Sequence, residues 1–285
     1  MKRGVFVGLV TVDLIYQTAQ MPGRNQKLVA SDYLISAGGP ATNAAVAFSG
    51  LGNQAMVMGV VGKHPIAHLI QADLSTCGVR ILDLDPQRSD PPPISSILVT
   101  EGTGDRSVIS INAVQSQATV EQMPSDCLAE IDLVLIDGHQ IEVGRTIAQR
   151  ARERDIPVVV DGGSWKPDFE TILPWVDYAI CSANFYPPHC ENERDVIAYL
   201  SNLGIAHIAI THGEKPIVYQ TGAQTGEIDV PPVPAIDTLG AGDIFHGAFC
   251  HAILQSDFVT ALTLAAQVAA LSCQFFGARR WLTEL

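Results

Sequence analysis

The sequence predicts an α/β protein: a mostly parallel sheet with helices on both faces, carrying a small separate β element. Three observations point there. Short apolar runs alternate with stretches of helical period along most of the 285 residues, the pattern of strands joined by crossover helices. The runs are bounded by turn residues and apolar throughout, which suits strands buried on both faces. Two further segments alternate apolar and polar residues, the rhythm of strands with one buried face.

The elements follow in order. A first strand covers residues 4–10, and a helix covers 41–51 behind a Gly38-Gly39-Pro40 entry. A strand over 55–61 and a helix over 66–76 come next. Strands over 132–136, 157–161, 178–182 and 207–211 follow, separated by helical stretches such as 142–154 and 194–203. Two helical patterns, 241–254 and 259–275, close the chain, with Asp257 as the N-cap of the second. The alternation breaks at residues 14–36, which include Lys27-Leu28-Val29-Ala30-Ser31-Asp32-Tyr33-Leu34-Ile35. It breaks again at 95–112, a hairpin signal around Gly102-Thr103-Gly104-Asp105 behind three prolines. Neither an internal repeat nor a low-complexity linker interrupts the chain. The expectation is one domain over residues 1–285, with segments 14–36 and 95–112 inserted as a β lid above a substrate.

Composition narrows the function. With 47% hydrophobic and 16% charged residues, the chain can bury one large core, and extensive disorder is not expected. No stretch reaches eighteen apolar residues, so no membrane helix is expected. The run after Met1-Lys2-Arg3 stops at Asp13 without a small-residue cleavage site, so it reads as a strand in a cytoplasmic protein. Six scattered cysteines show no metal-type spacing and read as reduced, mostly buried thiols. The eight histidines lack ligand spacing, so no tightly bound transition metal is expected. A formal net charge of −13 argues against a nucleic-acid partner. It also requires that an anionic ligand be held by backbone amides and a few local cations.

The chemistry concentrates in Asp237-Thr238-Leu239-Gly240-Ala241-Gly242-Asp243, which runs directly into an apolar helix pattern. Small residues at 240–242 permit a tight turn whose amides, with the helix dipole, form an anion site for a transferring phosphoryl group. Asp243, in the first turn, can take a proton from an attacking hydroxyl. The plainer reading is a glycine turn with an acid that complements the helix dipole.

The string resembles the C-terminal signature of the ribokinase-like, or PfkB, carbohydrate kinases, D-T-x-G-A-G-D leading into x-F-x-G. Gly38-Gly39-Pro40-Ala41-Thr42-Asn43 is similar to their N-terminal signature. The likeness covers residues 4 to about 280 and is nearest the ketohexokinase and sulfofructose-kinase branch. It implies a three-layer body with a β lid that often mediates homodimers, binding ATP with Mg²⁺ and phosphorylating a small sugar, ketose-like by branch. By that resemblance Asp13, at the end of the first strand, would bind sugar hydroxyls with Asn25, Gly38, Gly39 and Asn43. Asp243 would be the base, and Gly240, Ala241 and Gly242 the anion hole. Arg106, Asn184, Thr211 and Gly213 would serve the nucleotide, and a potassium ion would sit near Asp237.

Three motifs depart from the family pattern. Pro187 replaces the glutamate of N-x-x-E after Asn184. Residues 64–67 lack an aspartate and a glycine found in V-G-x-D-x-x-G. Asn25 and Pro40 replace an Asp and an Asn of the ketohexokinase sugar loop. Strand-end residues Asp161, Lys166 and His139 are further crevice candidates, Asp161 for magnesium and Lys166 for a phosphate. No Walker A motif occurs, so the nucleotide would rest on the C-terminal half. Competing readings are a non-catalytic binding or scaffold protein on a kinase fold, which the departures motivate, and a nucleoside kinase. An intact Asp243 and glycine turn favour the sugar kinase.

Overall fold

The computed structural model describes residues 1–284. Its first half contains β1 (Arg3–Val7), β2 (Thr11–Thr18), β3 (Asp32–Gly38), α1 (Pro40–Gly50), β4 (Gln54–Gly59), α2 (Ala67–Thr76) and β5 (Val79–Asp83). There follow β6 (Ile94–Thr100), β7 (Arg106–Ser110), β8 (Leu133–Ile136), α3 (Ile141–Arg152) and β9 (Val158–Gly162). The last part holds β10 (Tyr178–Ser182), α4 (Glu193–Asn202), β11 (His207–His212), β12 (Lys215–Thr221), β13 (Gln224–Ile228), α5 (Ala241–Ile253) and α6 (Phe258–Ser272).

Nine strands form one sheet in the order β13-β12-β11-β10-β9-β8-β1-β4-β5. Every neighbouring pair from β11 to β5 is parallel, whereas β11–β12 and β12–β13 pair antiparallel. Side chains alternate between two cores. Leu133 and Leu135 of β8 join Phe6 and residues of α1, α5 and α6 on one face. Val134 and Ile136 join residues of α3 and α4 on the other. Covered on both faces, these strands can carry apolar residues at every position. At the start of α6, Asp257 does act as the N-cap, accepting from the Thr260 N–H at 3.0 Å.

The strands without a sequence signal lie at the edges of the large sheet. β5 and the β12–β13 hairpin mix exposed and half-buried positions, so their apolar runs are interrupted. The first strand is also shorter than its pattern. The chain bends out of the sheet at Gly8, where an added Cβ would sit 1.9 Å from the Asp137 carboxylate. Asp13 therefore does not close the first strand; it stands inside β2, in the second sheet.

That second sheet has the order β3-β2-β6-β7. Directly opposed residues share a face, so its register sorts its chemistry. Asp13, Ser36, Ser95 and Ser110 form one row, and Ile15, Leu34, Ile97 and Val108 form the next on the same face. Ile15, Ile97 and Val99 pack on Phe276 and Leu239, which seats this face on the chain segments flanking α5 and α6. The polar row is thereby suspended over the carboxyl ends of the parallel strands. Among the described residues no helix is long and apolar enough to cross a membrane.

Candidate active site

The order of winding reverses between β1 and β8, and ligands of open α/β sheets bind outside the carboxyl ends of the strands at such a point. Here Asp137 follows β8 and is almost fully buried. Its Oδ2 accepts from the Leu9 and Ala41 amides at 2.9 and 3.1 Å, and its Oδ1 from the His139 amide at 2.8 Å. Burial alone would raise this carboxyl's pKa. The His139 imidazole, Lys166 and the amide donors outweigh burial and hold it at about 2. Asp137 thus pins the glycine-rich entry of α1 to the end of β1.

Helix α1 begins at Pro40, whose missing N–H is no loss at that position. One turn on, Asn43 is buried and donates from Nδ2 to Asp243 Oδ2 at 2.8 Å. The two signatures, 200 residues apart, meet in that hydrogen bond. Gly240 enters α5 at φ +71, a conformation that disfavours any side chain with a Cβ. The amides of Gly240 and Gly242 have no acceptor among the described residues, while that of Ala241 bonds to the Thr238 carbonyl at 3.3 Å. The anion hole expected from three amides is therefore two open amides and one already engaged.

Asp243 is partly buried at the first turn of α5. Burial, reinforced by the charge of Asp161, pushes its carboxyl up to about 6 against the hydrogen bond from Asn43 and the cations nearby. Asp161, buried at the end of β9, has its Oδ2 3.5 Å from His246 Nδ1. His246 sits one turn after Asp243 with both ring nitrogens facing oxygens, the Gly242 carbonyl at 2.7 Å and the Ile180 carbonyl at 3.1 Å.

The polar row of the small sheet supplies the opposite wall. Asp13 is buried, which raises its pKa, and accepts from Thr11 Oγ1 at 2.6 Å. Ser95 Oγ lies 3.4 Å from Thr11 Oγ1 and donates to Ser110 Oγ at 3.2 Å. Gly38 stands directly beneath Asp13, and Gly39 takes φ +101 beside the Leu9 carbonyl. Arg106 of β7 donates to the Thr238 carbonyl and, at 3.2 Å, to Thr238 Oγ1. This hairpin arginine thus reaches the loop that carries the glycines.

The remaining expected residues lie around these groups or apart from them. Asn25 is exposed at φ 57 in the loop between β2 and β3 and makes no hydrogen bond to these groups. Both oxygens of Asp237 accept backbone amides, Leu239 and Gly277, each at 2.8 Å. Asn184 and Thr211 follow or end the neighbouring strands β10 and β11, and Gly213 turns the chain into β12 at φ +67. Lys166 donates to the Ser164 carbonyl at 3.1 Å and lies 5.6 Å from the Phe169 ring centre. His139 Nδ1 stands 3.2 Å from Asp137 Oδ1.

The sequence reading missed Thr11, Ser95, Ser110, Asp73 and Arg279. Ser95 carried a faint signal, as one of two serines ahead of the apolar run Ile97-Leu98-Val99. Arg279 carried another, as a cation directly behind Gly277-Ala278 in an apolar C-terminus. Its guanidinium donates to Asn43 Oδ1 at 2.9 Å.

This geometry sets a carboxylate of raised pKa beside open amides, below a polar wall. The family described as pfkB family carbohydrate kinase matches residues 1–284. The chain belongs to the pfkB family of carbohydrate kinases. Among relatives of this kinase, the ribokinase of Bacillus subtilis is 25% identical over 283 residues, covering 98% of this chain and 95% of its own. A deoxyribokinase from Salmonella typhi is 25% identical over 285 residues, covering 93% and 90%. The solved Arabidopsis thaliana ribokinase complexed with ribose and ATP superposes with a TM-score of 0.78 at 21% identity, covering 99% and 97%. The fold is accordingly ribokinase-like, three layers with a small added sheet.

Proposed function

We propose that this carbohydrate kinase transfers the γ-phosphoryl group of ATP to a hydroxyl of a small sugar, with Asp243 as general base. The observation that carries this reading is the Asn43–Asp243 hydrogen bond at 2.8 Å, which joins the sugar loop to the open amides at the start of α5. A sugar held between the Asp13–Ser95–Ser110 row and the Gly38–Asn43 turn would present one hydroxyl to Asp243. The base takes its proton, the oxygen attacks the γ-phosphorus in line, and the amides of Gly240 and Gly242 receive the charge on the transferred group. Asn184, Thr211 and Gly213 would border the nucleotide along β10 and β11, and Arg106 would reach its phosphates from the small sheet. A ketose-like acceptor is favoured by the motif string. The test is ADP release from ATP across ketoses, aldopentoses and nucleosides. Turnover with a sugar supports the reading, and turnover with nucleosides alone, or with nothing, overturns it.

Mg²⁺ fits here as the partner of ATP, not as the occupant of a protein cage. No group of three His, Cys, Asp or Glu side chains among the described residues could hold a metal, and magnesium commonly uses one or two carboxylates with substrate phosphates. Asp161 is the carboxylate we assign to it, and the ion would neutralise charge on the phosphates. Potassium beside Asp237 would rely on loop carbonyls, because both carboxylate oxygens already accept amides. Excess chelator is expected to abolish turnover, and a full rate under chelation would remove the metal from this reading.

The pH dependence follows from Asp243. The base works as a carboxylate, and its pKa is raised to about 6. Turnover should be full above that value and fall as pH drops through it. A flat rate between pH 5 and pH 7 would contradict the assignment.

We also propose that residues 1–285 act as one domain whose small sheet closes as a lid and pairs with a second copy. Tyr16, Tyr33, Ile35 and Ile109 on its outer face are 40%, 65%, 44% and 78% exposed, and such a face is usually covered. Sedimentation at micromolar concentration should show a homodimer that Tyr33→Asp dissociates. A wild-type monomer would exclude the pairing.

A further inference from the structure

Among the described residues Arg279 is the one arginine set against Asn43, and all five of its N–H groups have acceptors. Nη1 donates to Asn43 Oδ1 at 2.9 Å and to the Ala278 carbonyl at 3.2 Å. Nη2 donates to the Ala37 carbonyl at 2.6 Å and to Asp73 Oδ2 at 3.3 Å, and Nε reaches the same Asp73 oxygen at 3.4 Å. No donor is left over for a substrate, and Asp73 neutralises the charge. Asp73, on α2, also accepts the Ala37 amide at 3.0 Å. The guanidinium therefore ties α2, the end of β3 and the C-terminal segment to one side chain of α1.

That side chain has two unlike ends. A carboxylate such as Asp243 can bond only to the NH₂ end of the Asn43 amide, and a guanidinium only to its carbonyl end. With Arg279 on one side and Asp243 on the other, a single orientation of the amide satisfies both. Without Arg279 the carbonyl end loses its charged donor, and the amide is free to turn or drift from Asp243. We propose that Arg279, held by Asp73, is a positioning residue that aims the Asn43 amide at Asp243 and thereby fixes the direction of the base. The inference rests on reading Asp243 as the base. It adds a residue outside both signatures that acts on the chemistry without touching the sugar.

The test is steady-state kinetics of Arg279→Met, Asn43→Ala and the double variant. Arg279→Met should lower kcat by about 100-fold, the usual cost of a misplaced group near 1 Å, with the KM for ATP within about twofold. Added to Asn43→Ala it should cost nothing further, because both changes break one unit. Losses that add, a KM for ATP that rises in step, or an unchanged kcat would each overturn the proposal. If Arg279→Met fails to fold, Asp73→Asn, which releases the guanidinium from its anchor, carries the same expectation of a kcat loss absent from the Asn43→Ala background. Asp243→Asn separates the two readings. An active Asp243→Asn removes the base itself, whereas an inactive one beside an Arg279→Met of normal kcat removes only the positioning role.

Discussion

Asp243→Asn is expected to lower kcat by about 10²–10⁴-fold, the usual weight of a general base, while ATP still binds and the fold persists. The asparagine keeps the shape and an oxygen for the Asn43 amide, whose donor lies 2.8 Å away. What it lacks is a site for the hydroxyl proton. Stability should hold or rise. Burial and the neighbouring Asp161 raise the carboxyl's pKa to about 6. The stability linked to that carboxyl is therefore complete below its unfolded pKa, roughly 4, and is lost as pH rises through the folded value. At neutral pH the ionised carboxylate is a cost to the fold, and an amide removes it, the opposition between activity and stability expected if Asp243 is the base. Kinetics at pH 7.5 and a thermal melt check both halves. A near wild-type rate would take Asp243 out of the mechanism, and a collapsed melt would make it a structural residue.

Gly38→Ala is expected to damage the turn into α1 where it meets Asp13. A Cβ built there lies 1.9 Å from Asp13 Oδ2 and 2.2 Å from its Cγ, far inside van der Waals contact. Asp13 has little freedom to retreat, because it is buried on the inner face of the small sheet and bonded to Thr11 Oγ1 at 2.6 Å. Either the carboxylate turns away and breaks that bond, or β2 and β3 separate where Thr11 pairs with Gly38. Overpacking of this kind costs about 1–3 kcal/mol in stability, which the fold can absorb. The greater effect is on function, since a displacement near 1 Å at a binding group costs about 100-fold. We expect kcat/KM for the sugar to fall by at least that factor while the KM for ATP changes little. Unchanged sugar kinetics would show that Asp13 does not bind the acceptor.

The large sheet was legible in the sequence where strands are covered on both faces. Residues 178–182 of β10 were bounded correctly because the central side chains, Ala179, Ile180 and Cys181, all enter a core. The edge elements were not legible: β5 and β12–β13 are half exposed, and a half-exposed strand carries a diluted pattern. The glycine turn before Asp243 was legible too, because a left-handed Gly240 and a helix N-terminus leave few residue choices.

What the sequence determined by itself is the α/β alternation, the helix starting at residue 241 and the chemistry its first turn can offer. All are local, set within a few residues by side-chain period and backbone freedom. The tertiary structure alone decided which distant groups meet. It placed Asp13 on the small sheet, turned Ser95 and Ser110 to the same face through strand register, and set Asn43 between Asp243 and Arg279. Those contacts span up to 236 residues. No local pattern records them, because a hydrogen bond between remote side chains depends on where the whole core seats each backbone.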